Sequence, residues 1–298
     1  MDSDGSRAPV IEREAPPPGG ELAGQTVLVT GATGPAIASG LCDAIHAAGA
    51  RLVVNGPTDD EVRATVARYP GAVGVAGDVS RPAEVERMFA AATELAGPLT
   101  GLVNNAGIGL VAHLTDVTDD QFDHVVGTDF RGVWLVSREF ARAVLARGGT
   151  GAVVNVSSVH AARTIGGYGV YAAAKAGVEG LTRGFAVDLG PAGVRCNAVA
   201  PGYVPADRDL APPDHPVHDT SWIDAHTTTE QALHRVIEPI DLGWAAVFLL
   251  SDRSRCITGQ VLTVDAGLTA LLYNADMATR IHADRRRRAR AAEGNRTS

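Results

Sequence analysis

Short runs rich in Val, Leu and Ala alternate along this chain with longer stretches whose apolar residues recur every three or four positions. The runs at residues 26–30, 51–55, 72–76, 101–104, 152–157, 194–198 and 260–264 are predicted strands, each short and bounded by Gly, Asn, Pro or Ser. Helical periodicity covers the intervals near 36–48, 59–68, 82–96, 119–147, 168–189 and 241–251. A near-continuous apolar strand is buried on both faces, and an amphipathic helix after it carries the chain back to start the next strand in parallel. The expected fold is therefore one α/β domain, a doubly wound parallel sheet, over residues 24–270.

Three stretches depart from the alternation. Residues 1–23, acidic and then Pro-rich, read as a disordered arm. Residues 203–230, Pro-rich and then polar, are longer than an ordinary connection and are expected to form a lid or substrate loop. Residues 271–298 read as a C-terminal extension, a helix and then a frayed tail.

Composition narrows the function classes. The 298 residues are 45% hydrophobic but only 5% aromatic, which suits close helix-on-sheet packing of small and branched side chains. Net charge is −8, yet residues 280–298 hold seven arginines against Asp284 and Glu293, so the body is more acidic than the whole. That balance argues against nucleic acid as a partner, and the run of arginines at 285–288 reads as a solvated tail. Cys42, Cys196 and Cys256 are odd in number and widely spaced, as in neither a disulfide framework nor a metal site, and they suit a reducing cytosol. His215, His218, Asp219 and His226 fall in the long loop and read as exposed rather than as metal ligands. No leader pattern and no apolar run of spanning length is present, so a cytoplasmic protein without a membrane partner is expected.

The chemistry concentrates at one residue. Among 26 Lys+Arg positions a single lysine occurs, Lys175, four residues after Tyr171 on a predicted helix. Residues i and i+4 share a helix face, and an ammonium beside a phenol favours the phenolate, so the tyrosine can exchange a proton near neutral pH. Arginine cannot replace lysine as a compact, tunable point charge. Thirteen residues before Tyr171, Ser158 follows the strand at 152–157, at the carboxyl edge where open α/β sheets place their sites.

Ser158, Tyr171 and Lys175 at this spacing resemble the short-chain dehydrogenase/reductase family over about residues 24–268. So do Asn104-Asn105-Ala106-Gly107, Gly77-Asp78-Val79, the segment from Asn197 to Gly202, and the closing Val264-Asp265-Ala266-Gly267. The resemblance implies an NAD(P)-dependent oxidoreductase that moves a hydride between nicotinamide and a carbonyl or secondary alcohol, usually as a homotetramer or homodimer. It implies that Tyr171 exchanges the proton, Ser158 orients the substrate oxygen, and Lys175 tunes the tyrosine and holds the ribose. It places cofactor contacts at Gly31, Thr33, Gly34, Ala36, Ile37, Asn55, Asp78, Val79, Asn105, Ala106, Gly107, Pro201, Gly202 and Val204. His160, Arg163, Tyr203 and Trp222 are candidate substrate contacts, the last two as an aromatic wall suited to a bulky molecule such as a secondary metabolite.

Four departures accompany the match. In Thr30-Gly31-Ala32-Thr33-Gly34-Pro35-Ala36-Ile37-Ala38, counting back from residues 48–50 suggests one inserted residue, with Ala36 and Ala38 where the family carries its last two glycines. The active-site asparagine falls on Asp129, which is positioned to act in catalysis or to pin Lys175 by charge. Pro205-Ala206 stands where a cofactor-bonding threonine is usual. Asn55-Gly56-Pro57-Thr58 lacks both the acid that selects NAD and a base for a 2′-phosphate, a slight lean to NADP. The alternative reading is a non-redox enzyme on the same fold, a cyclase, dehydratase or isomerase; a silent scaffold is a third.

Overall fold

The computed structural model describes residues 20–205 and 230–272. Seven strands form one sheet: β1 (Thr26–Val29), β2 (Arg51–Gly56), β3 (Val73–Ala76), β4 (Gly101–Asn104), β5 (Gly151–Val156), β6 (Val194–Pro201) and β7 (Val261–Val264). Their order is β3-β2-β1-β4-β5-β6-β7, and every neighbouring pair is parallel. The order reverses between β1 and β4, which opens a crevice at their carboxyl ends.

Helices α1 (Ile37–Ala47), α2 (Asp59–Val66), α3 (Pro82–Ala96), α4 (Asp119–Val126), α5 (Val133–Ala146), α6 (Gly169–Leu189) and α7 (Pro239–Leu250) complete the described domain. Alternation within each strand divides the core. Val27, Val29, Leu52, Val54, Val103 and Val154 face Leu41, Ile45, Val62 and Leu242 of α1, α2 and α7. Leu28, Val53, Leu102 and Val153 face Val85, Met88, Leu135 and Phe140 of α3 and α5. Each such side chain, fully buried, contributes roughly 1.5–3 kcal/mol, which is why strands this short stay in register.

Glycine sets the closest approach of two helices. A Cβ on Gly40 of α1 would lie 2.0 Å from the Pro239 carbonyl carbon, and one on Gly243 of α7 would lie 2.1 Å from the Gly40 oxygen. The backbones of α1 and α7 therefore touch, and the two helices pack together on one face of the sheet.

Several boundaries differ from the sequence reading for visible reasons. The ordered body reaches back past residue 24, because Leu22 is fully buried and its N–H donates to the Ala48 carbonyl. The helix expected over 119–147 is divided by a wider, π-type turn at Gly127–Gly132 between α4 and α5. α7 starts at Pro239, where Glu238 and Asp241 cap each other's backbone N–H groups. β6 runs on to Pro201 because β7 supplies its partners Leu262, Thr263 and Val264. Most of the expected loop at 203–230, with Trp222 and the four residues His215, His218, Asp219 and His226, lies outside the described residues, as do residues 1–19 and 273–298.

Candidate active site

A cleft of about 1310 Å³ runs along the carboxyl edge of the sheet, large enough for a dinucleotide beside a small substrate. All described residues proposed from sequence line it: Gly31, Thr33, Gly34, Ala36, Ile37, Asn55, Asp78, Val79, Asn105, Ala106, Gly107, Asp129, Ser158, His160, Arg163, Tyr171, Lys175, Pro201, Gly202, Tyr203 and Val204.

At its centre the reactive side chains come from three elements. α6 carries Tyr171 in its first turn and Lys175 one turn later, with the Lys175 Nζ 5.6 Å from the Tyr171 ring centroid. Lys175 is only 4% exposed, and its Nζ donates to the Val156 carbonyl at the end of β5, 3.1 Å away. The two serines after β5 part company. Ser157 Oγ turns inward and donates to Glu179 at 3.0 Å. Ser158 Oγ lines the cleft and accepts the His160 N–H at 3.2 Å, and among the described residues its own proton has no acceptor. A hydroxyl in that state can donate to a substrate oxygen.

Asp129 enters from the π-type turn and is fully buried. One carboxylate oxygen accepts the Ile108 N–H at 2.7 Å, while the other lies 3.3 Å from Lys175 Nζ. The Gly107 backbone roofs this pair, since a Cβ there would sit 3.0 Å from the Asp129 Oδ2 and 3.2 Å from Nζ. Burial pushes the Asp129 carboxyl above the ordinary carboxylate range, against the opposing pull of Lys175 and the Ile108 N–H.

The loop after β1 is tied to the loop after β4. Thr30 Oγ1 accepts the N–H groups of Asn105 and Ala106, and Asn105 Nδ2 donates back to the Thr30 and Gly31 carbonyls. Beneath, Asn104 Nδ2 donates to Ser137 and Asn155, and Asn155 Nδ2 to Thr182. Ala36 has φ 79 and ψ −121, a conformation glycine tolerates and alanine resists, which agrees with the place counted for a family glycine. It stands at the N-terminus of α1, where no side chain caps the helix and Ile37 and Ala38 line the cleft. Unsatisfied amides, helix dipole and open space meet there, so these residues fit a pyrophosphate.

At the far end the Asn55 amide is committed to the backbone, donating to the Val75 and Gly77 carbonyls. Gly56 leaves room for Thr33, whose Cγ2 lies 2.4 Å from where a Cβ would be. Burial pulls Asp78 up, but hydrogen bonds from the Ser80 side chain and backbone and from Arg81 hold its carboxyl below the usual range.

On the substrate side His160 stacks on Tyr168, with centroids 4.4 Å apart, and meets Tyr171 edge-on at 5.9 Å. Burial lowers the pKa of His160 and so favours its neutral ring. Arg163 Nη1 reaches the Leu271 carbonyl at 3.5 Å. Sequence reasoning passed over Tyr168 and Thr30; the first was marked by its i, i+3 spacing to Tyr171, whereas nothing local marks the second. Among the described residues no cluster has the make-up of a metal site, and no helix is long and apolar enough to cross a membrane.

Strand order, crevice and side-chain set together define a dehydrogenase-type dinucleotide fold. A family model described as enoyl-(acyl carrier protein) reductase matches residues 31–269, and the chain belongs to the short-chain dehydrogenase/reductase family. Human L-xylulose reductase is 36% identical over 253 residues, 84% of this chain and 98% of that protein. Galactitol 2-dehydrogenase (L-tagatose-forming) of Cereibacter sphaeroides is 36% identical over 256 residues, 83% of this chain and 96% of its own length. A crystal structure of gluconate 5-dehydrogenase from Burkholderia cenocepacia, in complex with NADP and tartrate, matches with a TM-score of 0.76 at 30% identity, covering 84% of this chain and 97% of that one. The protein is an NAD(P)-dependent oxidoreductase acting on a small molecule, and the non-redox alternative gives way to the redox reading.

Proposed function

We propose that this enzyme interconverts a secondary alcohol and a ketone on a polyhydroxylated substrate, a polyol or ketose, with Tyr171 as general acid and base. The observation that carries the reading is the lone lysine, buried beneath Tyr171 in the same cleft as the Ser158 hydroxyl. Bound nicotinamide dinucleotide supplies or accepts the hydride. Tyr171 gives its proton to the nascent alkoxide in reduction and takes it back in oxidation. Ser158 donates to the same oxygen and fixes its position, while Lys175, held by Val156, keeps a positive charge under the phenol.

The Gly31–Ile37 turn and the uncapped start of α1 hold the pyrophosphate, Asp78 and Val79 the adenine end, and Asn105, Gly107 and Lys175 the nicotinamide ribose. The end of β2 carries no acid at Asn55-Gly56-Pro57, which leans towards NADP. The polar lining of His160, Arg163, Thr164, Tyr168 and Thr269 supports a substrate rich in hydroxyls. The relatives act, by name, on L-xylulose and galactitol. Exposed Phe122, Trp134 and Val187 on α4, α5 and α6 give a homodimer or homotetramer an apolar face, and a cytoplasmic location suits the free thiols.

The test is a panel of polyols with NADP⁺ and NAD⁺, and of ketoses with the reduced forms, followed by nicotinamide absorbance. Turnover with at least one polyhydroxylated substrate is expected. Turnover confined to compounds without adjacent hydroxyls would overturn the substrate class.

A further inference from the structure

The Asp129–Lys175 contact places a negative charge directly against the only ammonium in the chain. The two groups form a close ion pair, with Nζ 3.3 Å from the Asp129 Oδ2. Both groups are excluded from water, with Asp129 fully buried and Lys175 4% exposed, so the two charges act on each other and on the nearby phenol with little screening. Lys175 Nζ is 5.6 Å from the Tyr171 ring, within the range where its field favours phenolate. A carboxylate in contact with that ammonium subtracts from the same field.

We propose that Asp129 is a positioning residue that acts through Lys175: it fixes the ammonium and partly cancels its charge, so that Tyr171 ionises at a higher pH than it would with a neutral residue at position 129. The proposal rests on the reading of Tyr171 as the acid–base group. An asparagine, nearly the same shape, would keep the bond from the Ile108 N–H while removing the charge.

The other charged or titratable groups packed around the pair are few. His124 faces it from α4. His160 lies in the turn after β5, stacked on Tyr168. Glu179, one turn beyond Lys175 on α6, is hydrogen-bonded by Ser157. Arg131, on the same turn as Asp129, is exposed and donates to the Ser80 carbonyl. Asp129 is thus the one carboxylate in contact with Nζ among the described residues. These coupled groups titrate as a set, so the experiment reads the phenol itself.

The test uses the full chain without dinucleotide or substrate. Tyrosinate absorbance is titrated in wild type and Tyr171→Phe, and again in Asp129→Asn and the Asp129→Asn/Tyr171→Phe double variant. Each difference isolates the Tyr171 phenol from the other tyrosines. The expected result is a midpoint about one pH unit or more lower in the Asp129→Asn background. An unchanged or higher midpoint in a folded variant overturns the proposal, and a purely structural role for Asp129 would leave the midpoint where it was.

Should Asp129→Asn fail to fold, Asp129→Ser gives the second reading: the charge is again absent, so the phenol midpoint again falls by about one unit or more, and an unchanged or higher midpoint overturns the proposal. Because no turnover is measured, absence of nicotinamide-linked activity would defeat the redox reading without deciding this one.

Discussion

Replacing Ala36, the N-cap of α1, by glycine should stabilise this protein. Ala36 holds φ 79 and ψ −121, in a half of conformational space that the β-carbon disfavours. Relieving that conflict is worth about 1–2 kcal/mol. The added freedom of glycine in the unfolded chain returns about 0.4–1 kcal/mol. The net gain is about 1 kcal/mol, or a rise in Tm of about 2–4 °C for a domain of this size. The same change removes a methyl group from the turn proposed to receive the pyrophosphate, so NADP(H) should bind more tightly as well. Differential scanning fluorimetry and calorimetric titration of Ala36→Gly against wild type measure both effects. Ala36→Val, which adds β-branching at the same backbone angles, should lose stability. A lower Tm for Ala36→Gly would refute the reasoning, because it would mean that residue 36 is not held at positive φ.

Two further outcomes follow from packing and charge. Gly243→Ala places a methyl group 2.1 Å from the Gly40 carbonyl oxygen, where only backbone can give way, so α1 and α7 must separate; a loss of about 3 kcal/mol or failure to fold is expected in denaturant melts. The Asp129 carboxyl is shifted up by burial, so the folded state binds its proton more tightly than the unfolded chain; stability from this group is present below pH about 4 and is lost as pH rises through the folded value. Melts of wild type and Asp129→Asn across that range should therefore show the difference moving in favour of asparagine as pH rises, and a flat difference would contradict the assignment.

Much of this structure was legible because local signals agreed with one another. The strands 51–56 and 101–104 were readable from apolar runs stopped by Gly, Asn or Pro, and the sheet order makes both faces of those runs core. Tyr171, Lys175 and Ser158 stood out through spacing and through the scarcity of lysine, since a helix repeat and a strand end are local quantities. What escaped depends on contacts distant in sequence. Thr30 is an ordinary strand-end threonine until the Asn105 and Ala106 amides, some seventy-five residues away, reach its hydroxyl. The break between α4 and α5 was invisible because Gly127–Gly132 keeps helical periodicity while widening one turn. Asn55 lines the cleft at the end of β2, and its amide also donates to the carbonyls of Val75 and Gly77, a pairing that only the β2–β3 register supplies.

The measurement closest to the heart of the account compares wild type with Tyr171→Phe, using a substrate found in the polyol panel and dinucleotide binding measured alongside turnover. Phenylalanine preserves the ring that meets His160 and removes only the proton-bearing oxygen. Dinucleotide affinity should stay within about threefold of wild type and kcat should fall by about 10²–10⁴-fold. Turnover within a few fold of wild type in Tyr171→Phe would contradict it, since the phenol would then not be the group that moves the proton.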